Sequence, residues 1–324
     1  MTPVSELREI LSKAFLRETF SFKPDELYEP IRYTLALGGK RIRPMLVLMG
    51  CDLFGGNPEK ALDPAIGIEI FHNFTLLHDD IMDQAPIRRG KETVYKKWNA
   101  NTAILSGDTM LVLAYEYLSK ADKELLPDLF AVFNLTGRQV CEGQQFDMNF
   151  ELRTNVSLPD YIEMIRLKTA VLLGCCLKTG AILAHAPVEE AEKMYSFGEC
   201  IGLAFQLQDD LLDSFGNEEK FGKEIGGDIM CNKKTFLYLK AFELAGPEEL
   251  AILNNYFSGR HFSAEEKVRE VRKVYDKLKV QDHTMVLINN YFSKAMQFLE
   301  DVKVPQEEKS ELIALSNQLL NREY

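Results

Sequence analysis

Apolar residues recur at spacings of three and four through most of the chain, as in Leu7, Ile10, Leu11, Ala14 and Phe15. That is the period of a helix with one buried face. Strand-length runs of period two are nearly missing. Start signals are legible: Ser157-Leu-Pro-Asp160 and Ser263-Ala-Glu-Glu266 resemble capping boxes, and Gly246-Pro247-Glu-Glu sets a proline in a first turn. The pattern predicts helices over 4–19, 25–37, 41–54, 64–83, 99–120, 126–152, 158–185, 188–214, 232–245, 248–257, 264–279, 282–301 and 305–320. Several, such as 158–185, are apolar on most sides, as expected of helices enclosed by other helices. No stretch rich in Pro, Gly or Ser divides the chain and no tandem repeat shows. The expectation is one all-α domain over 1–324 with long central helices.

Composition narrows the classes of function. Of 324 residues, 46% are hydrophobic and 27% charged, an ordinary globular balance. Acidic residues outnumber basic ones by 49 to 38, a net charge of -11. A nucleic-acid backbone would be repelled overall, so no nucleic-acid partner is expected. The most apolar run, Ala170 to Ala184, is broken by Lys178 and is too short to span a bilayer. The opening segment has Glu6, Arg8 and Glu9 where a signal peptide needs an apolar run. Cys51, Cys141, Cys175, Cys176, Cys200 and Cys231 show no paired metal-type spacing, so zinc is not expected. Reduced thiols, mostly acting as small hydrophobes, suit a cytoplasmic protein.

The candidate chemistry lies in three strings. Gly38-Gly39-Lys40-Arg41-Ile42-Arg43-Pro44 crowds three cations into four residues beside a helix start. They repel one another unless an anion sits among them. Asp79-Asp80-Ile81-Met82-Asp83 closes one apolar helix and Asp209-Asp210-Leu211-Leu212-Asp213 closes another. Within each string the outer aspartates are one helical turn apart and share a face, an unfavourable like-charge pair without a cation. One such pair alone reads as a solvated helix end; two of identical spacing point to a shared task. Oxygen ligands without His or Cys favour Mg²⁺, which keeps waters and bridges to phosphate oxygens. Carboxylates above apolar helix faces, with cations at the mouth, describe a site for a diphosphate head and a hydrocarbon tail.

In these residues the chain resembles the trans-isoprenyl diphosphate synthases, the polyprenyl synthetase family. The resemblance rests on ordered motifs: GGKRIRP at 38–44, LLHDDIMD at 76–83, RRG at 88–90, GQ at 143–144, Tyr161 seven residues before Lys168-Thr169, FQLQDDLLD at 205–213 and GKEIGGD at 222–228. It implies a bundle of long helices around a deep central cavity, a homodimer, and head-to-tail condensation of isopentenyl diphosphate with an allylic diphosphate. It further implies that Asp79 and Asp83 hold two Mg²⁺ and Asp209 a third. Asp80, Asp210 and Asp213 complete the metal-binding set as neighbours that orient bound water. Arg88, Lys168, Lys223 and Lys233 correspond to the allylic diphosphate site. The second lysine of the last motif falls in Asn232-Lys233-Lys234-Thr235, so Lys233 and Lys234 both remain candidates. Lys40, Arg43, His72 and Arg89 correspond to the isopentenyl diphosphate site. Thr169 and Gln206 correspond to oxygen dipoles beside the allylic cation, and Gln144 and Asp147 to a pair near the cavity.

Product length is expected from the residues before the first aspartates. At 1.5 Å per residue, Phe74 lies about 7 Å and Phe71 about 12 Å along the helix from Asp79. Phe74 stands where the family places its chain-length aromatic, so a bulky ring there acts as a floor. Thr75 adds no second ring and the motif carries no insertion. A short product is expected, C20 ahead of C15. The alternative for Phe71 and Phe74 is that both are ordinary core aromatics. The alternatives for the protein are a class I terpene cyclase, whose second metal motif usually differs, and a non-catalytic modulatory subunit, which commonly lacks an aspartate motif.

Overall fold

The computed structural model describes residues 1–216, 226–258 and 262–320. They are helical almost throughout, as the periodicity requires. The helices are α1 (Val4–Arg17), α2 (Asp25–Ala36), α3 (Ile42–Leu53), α4 (Leu62–Met82), α5 (Val94–Lys97), α6 (Ala100–Leu118), α7 (Leu126–Leu152), α8 (Leu158–Ile165), α9 (Val171–Leu183), α10 (Val188–Phe215), α11 (Gly227–Met230), α12 (Phe236–Leu244), α13 (Pro247–Phe257), α14 (Ala264–Lys277), α15 (Val280–Glu300) and α16 (Ser310–Leu320). Among the described residues no helix is long and apolar enough to cross a membrane.

The helices group into two compact units. The first comprises Met1–Leu135, Cys175–Tyr195 and Val302–Leu312; the second comprises Thr136–Gly174, Ser196–Asp301 and Ile313–Tyr324. In the first, α4 packs on α2, α3 and α6. It buries Ile66, Ile68, Ile70, Phe71 and Leu77 at 2% exposure or less, each contributing about 1.5–3 kcal/mol. These positions surround the helix, which explains its weak amphipathic pattern. In the second, α8, α12, α14 and α15 enclose a core that includes Tyr161, Leu207, Leu211, Leu237, Leu253, Val271, Tyr275 and Ile288.

Four local features depart from the expected helices. The helix expected over 158–185 is interrupted: Arg166–Ala170 form a π-helical turn between α8 and α9. The helix expected over 232–245 begins later, at Phe236, where Thr235 accepts from the Tyr238 amide. Its first residues instead follow α11 through a turn at Asn232, whose φ is +56°. The last helix opens as a 3₁₀ turn at Gln306–Lys309. A small hairpin also forms, with Ile87 paired to Glu92 and Arg88 to Lys91. Its two-residue turn is Arg89-Gly90, with φ of +54° and +73°, the positive pair that a tight right-twisted hairpin needs. Two residues per strand are too few to register as period-two patterning.

Candidate active site

The first unit joins GGKRIRP to RRG. The Arg89 guanidinium donates to the Gly38 carbonyl, tying strings 51 residues apart. Arg41, in the left-handed region at φ +48°, is held structurally. Its guanidinium donates to Glu69 and to the Leu35 carbonyl and lies 4.7 Å above the Phe15 ring. The crowding of cations is thus relieved in part by a carboxylate, Glu69, that is 2% exposed. Sequence reasoning missed this role, though a lone acid within Ala-Ile-Gly-Ile-Glu-Ile-Phe is the kind of signal that reveals a buried partner.

Around His72 the same unit gathers positive charge. Burial, then Arg43, Arg89, Arg88 and Arg41 in turn, hold the His72 pKa well below its ordinary value. A neutral imidazole among four guanidinium groups is an environment suited to an anion. Three of the four residues expected at the isopentenyl diphosphate site, Arg43, His72 and Arg89, therefore meet electrostatically, joined by Arg88. Lys40 is exposed on the same glycine-rich loop.

The first aspartate string ends α4. Asp79 and Asp83 stand four residues apart at its C-terminus, Asp83 exposed and Asp79 half-buried. Asp80 is different: 5% exposed, it accepts from Arg88 Nε at 2.7 Å, while Arg88 Nη2 reaches Asp79 Oδ2 at 3.3 Å. Burial pushes the Asp80 carboxyl up to about 6, with Arg88 opposing the shift. Arg88, expected at the allylic diphosphate, is here the cation that binds the first motif together. Upstream on α4, Phe74 stacks edge-on against His78 with ring centres 4.8 Å apart and touches Phe71 at 5.7 Å. Phe71 in turn meets Phe133 at 5.0 Å. Phe71 is buried and Phe74 half-buried, so Phe71 backs Phe74. The His78 Nε2 pairs with the Ile104 carbonyl at 3.2 Å, a satisfied polar neighbour.

The second unit holds an open cavity of about 120 Å³. Lys168, Thr169, Gln206, Asp147, Lys233 and Lys234 are among the residues that line it. Lys168 and Thr169 lie in the π turn, and such turns, which break the regular hydrogen-bond ladder, are frequent at functional sites. The turn sits where α7 approaches most closely. A Cβ built on Gly143 would collide with the Lys168 backbone nitrogen and lie 2.8 Å from the Leu167 carbonyl carbon. Gly143→Ala is therefore expected to displace the turn, costing about 1–3 kcal/mol of stability and lowering kcat. Thermal unfolding with steady-state kinetics checks this, and an unchanged Tm and kcat would count against it.

Lys168 Nζ pairs with Asp147 Oδ2 at 2.6 Å. Thr169 Oγ1 donates to Gln206 Oε1 at 3.0 Å, and Gln206 Nε2 donates to Asp210 Oδ1 at 3.0 Å. Asp210, 5% exposed, also accepts from the Tyr161 hydroxyl. Burial, with Asp228 and Asp209 nearby, pushes the Asp210 carboxyl well above its ordinary range, while the bonds from Tyr161 and Gln206 oppose the shift. Asp213 Oδ2 accepts the backbone N–H of Asp228 at 2.9 Å, fixing the start of α11. The buried Gln144 Nε2 has no hydrogen-bond partner among the described residues.

The two lysine candidates separate by geometry. Lys234 Nζ donates to the carbonyls of Phe150 and Glu151, capping the C-terminus of α7 where carbonyls lack intrahelical partners. Lys233 lines the cavity beside it. Lys223 lies outside the described residues.

The donor set fits magnesium. Among the described residues no three or more His, Cys, Asp or Glu side chains form a ready-made metal cage. A cation held by one or two carboxylates, water and substrate phosphate needs none. Asp79 and Asp83 at a one-turn spacing, and Asp209 beside a buried Asp210, supply hard oxygen ligands of that kind.

An all-helical fold with paired aspartate strings, an arginine-lined anion site and a polar cavity defines a class of protein that handles diphosphates. Residues 24–276 match the family model described as Polyprenyl synthetase, and the chain belongs to that family. A geranylgeranyl diphosphate synthase of Methanosarcina mazei is 37% identical over 304 residues, covering 93% of this chain and 91% of its own. The crystal structure of a geranylgeranyl pyrophosphate synthase matches with a TM-score of 0.94 at 45% identity, covering 100% of both chains. That of the geranylgeranyl pyrophosphate synthetase of Pyrococcus horikoshii matches at 0.90 and 32%, covering 99% of this chain and 98% of its own. The fold is the all-α isoprenoid synthase fold.

Proposed function

We propose that this chain, acting as one synthase domain, is a magnesium-dependent prenyltransferase that condenses isopentenyl diphosphate head-to-tail with an allylic diphosphate. The product is a short all-trans isoprenyl diphosphate, C20 ahead of C15. The observation that carries the reading is the joint presence of two complete aspartate strings and the arginine cluster at His72. A class I cyclase has no use for a second diphosphate site of that kind. A modulatory subunit does not need both aspartate strings.

Asp79 and Asp83, with Asp209, would hold up to three Mg²⁺, and Asp80, Asp210 and Asp213 would orient their surroundings. When bound, the metal neutralises the leaving diphosphate so that its C–O bond ionises. Arg88, Lys168 and Lys233, with Lys223, grip the diphosphate oxygens. The Lys168–Asp147 pair keeps the ammonium poised at the cavity wall until an anion arrives. Thr169 and Gln206 turn oxygen dipoles toward the allylic cation and stabilise it without attacking. Lys40, Arg43, His72 and Arg89 hold isopentenyl diphosphate. Its double bond attacks the cation, and the proton then lost passes to the released diphosphate.

We propose a homodimer that associates through α6, supported by Ile104, Leu105 and Val112, which remain 45%, 59% and 58% exposed in this chain. A cytoplasmic location fits thiols that form no disulfide.

The test is a product assay. Purified protein receives Mg²⁺, labelled isopentenyl diphosphate and, separately, C5, C10 and C15 allylic diphosphates. A ladder of dephosphorylated products ending at C20 is expected. A cyclic hydrocarbon made without incorporating label would overturn the reading in favour of the cyclase. In the same assay Phe74→Ala is expected to lengthen the product by about one isoprene unit, because Phe71, next on the helix and braced by Phe133, remains as the stop. An unchanged ladder removes Phe74 as the floor.

A further inference from the structure

Tyr161 has no role in the chemistry set out above, yet it borders the cavity and its hydroxyl is tied to the second aspartate string. The ring is 2% exposed in the core of the second unit. Its hydroxyl donates to Asp210 Oδ2. The other oxygen of Asp210 accepts from Gln206 Nε2 at 3.0 Å, and Gln206 Oε1 accepts from Thr169 Oγ1 at 3.0 Å. Three hydrogen bonds thus run in series from the Tyr161 phenol to the Thr169 hydroxyl, along one side of the cavity.

Each member of the series constrains the next. A glutamine amide has two orientations that exchange its oxygen and its nitrogen, and only its neighbours select between them. A carboxylate with one oxygen claimed by Tyr161 offers Gln206 its remaining oxygen as an acceptor, so the amide nitrogen turns to Asp210. The amide oxygen then faces Thr169. The Thr169 hydroxyl, free to rotate otherwise, commits its proton to that oxygen. Its lone pairs are left for the cavity.

We propose that Tyr161 is a positioning residue for the condensation: through Asp210 it sets the orientation of the Gln206 amide, and hence the direction in which Thr169 presents its lone pairs to the reacting carbon. The proposal rests on the synthase reading. Tyr161 itself borders the cavity beside Asp210, Gln206 and Thr169; its effect on the reacting carbon is exerted through the hydrogen-bond series.

The test is a double-mutant cycle. Tyr161→Phe keeps the ring in its seat and removes one oxygen. With saturating Mg²⁺, kcat is expected to fall about 10- to 100-fold, the range seen when groups behind a directly acting ligand are removed. KM for both diphosphates is expected to stay within about twofold, because ground-state binding is not what the series controls. In a Gln206→Leu background, Tyr161→Phe is expected to cost less than about twofold further, since the amide it orients is gone. An equal loss in both backgrounds overturns the proposal, as does wild-type kcat in Tyr161→Phe. So does a loss that falls on KM and kcat alike with a lowered Tm, the mark of a purely structural tyrosine. If Tyr161→Phe does not fold, Asp210→Asn carries the test. Its side-chain amide has one acceptor oxygen, which cannot serve Tyr161 and Gln206 in the same way, so kcat should fall in the wild-type background but less than about twofold further in Gln206→Leu, whereas a role of Asp210 at the metal alone would cost the same in both. An Asp210→Asn protein with wild-type kcat overturns the proposal. The wild type run in parallel separates the two ideas: a wild type that condenses nothing ends the synthase reading, whereas an active wild type matched by Tyr161→Phe ends only the positioning role.

Discussion

Asp79→Ala is expected to condense substrates about a thousandfold more slowly than the wild type while keeping its fold. A factor of that size corresponds to about 4 kcal/mol of transition-state stabilisation, within the range for a cation that neutralises a leaving group. Removing Asp79 leaves Asp83 without its partner one turn away on α4. The structural cost is small, because Asp79 is half-buried and its contact with Arg88 is a secondary one at 3.3 Å. Arg88 keeps its 2.7 Å bond to Asp80. The loss should appear in kcat/KM measured across a Mg²⁺ titration, with Tm within a few degrees of the wild type. A variant that retains a tenth of wild-type activity at saturating Mg²⁺ would remove Asp79 from the metal site.

Arg41→Met is expected to act in the opposite way, on stability first. Arg41 carries one of the three crowded cations of GGKRIRP, but its guanidinium is spent on Glu69, which is 2% exposed, and on the Leu35 carbonyl. Removing it takes the guanidinium from a buried carboxylate, which among the described residues keeps a hydrogen bond from Asn73 Nδ2 at 3.1 Å and the more distant charge of Arg89. Breaking one partner of a buried pair costs about 3–5 kcal/mol. At this chain length each kcal/mol lowers Tm by about 1.5 °C, so a fall of about 5–7 °C is expected. Adding Glu69→Leu should restore much of the loss, since no charge is then stranded. Thermal unfolding of the two single variants and the double variant measures the coupling. Simple additivity would show that Arg41 and Glu69 do not act as a pair.

Much of the site was legible because its chemistry is written in short strings. The spacing of Asp79 to Asp83 and of Asp209 to Asp213 is set by one helical turn, so a shared face follows from sequence alone. The boundaries of α7 were likewise readable, because apolar periodicity runs unbroken from Leu126 to Leu152. Less legible was the division of labour within each string. Asp80 and Asp210 look like their neighbours in sequence, but both are 5% exposed and held by Arg88, Tyr161 and Gln206. Arg41 resembles Arg43 and is structural. Lys233 resembles Lys234, and only the position of the α7 carbonyls tells them apart. The break at Arg166–Ala170 could not be read from a segment in which every residue but Thr169 is a good helix former.

By itself the sequence determined that this chain is helical, that it carries two aspartate strings of identical spacing, and that cations cluster near a glycine-rich loop. Those properties depend on local period and residue type, which neighbours along the chain decide. The tertiary structure decided which of several identical side chains are buried and consumed in holding the fold and which stay accessible. Burial, partner identity and amide orientation depend on segments distant in sequence. Arg89 meets Gly38 across 51 residues, and Tyr161 meets Asp210 across 49. No local pattern encodes those meetings, because their energy comes from desolvated groups that find partners only once the helices have packed.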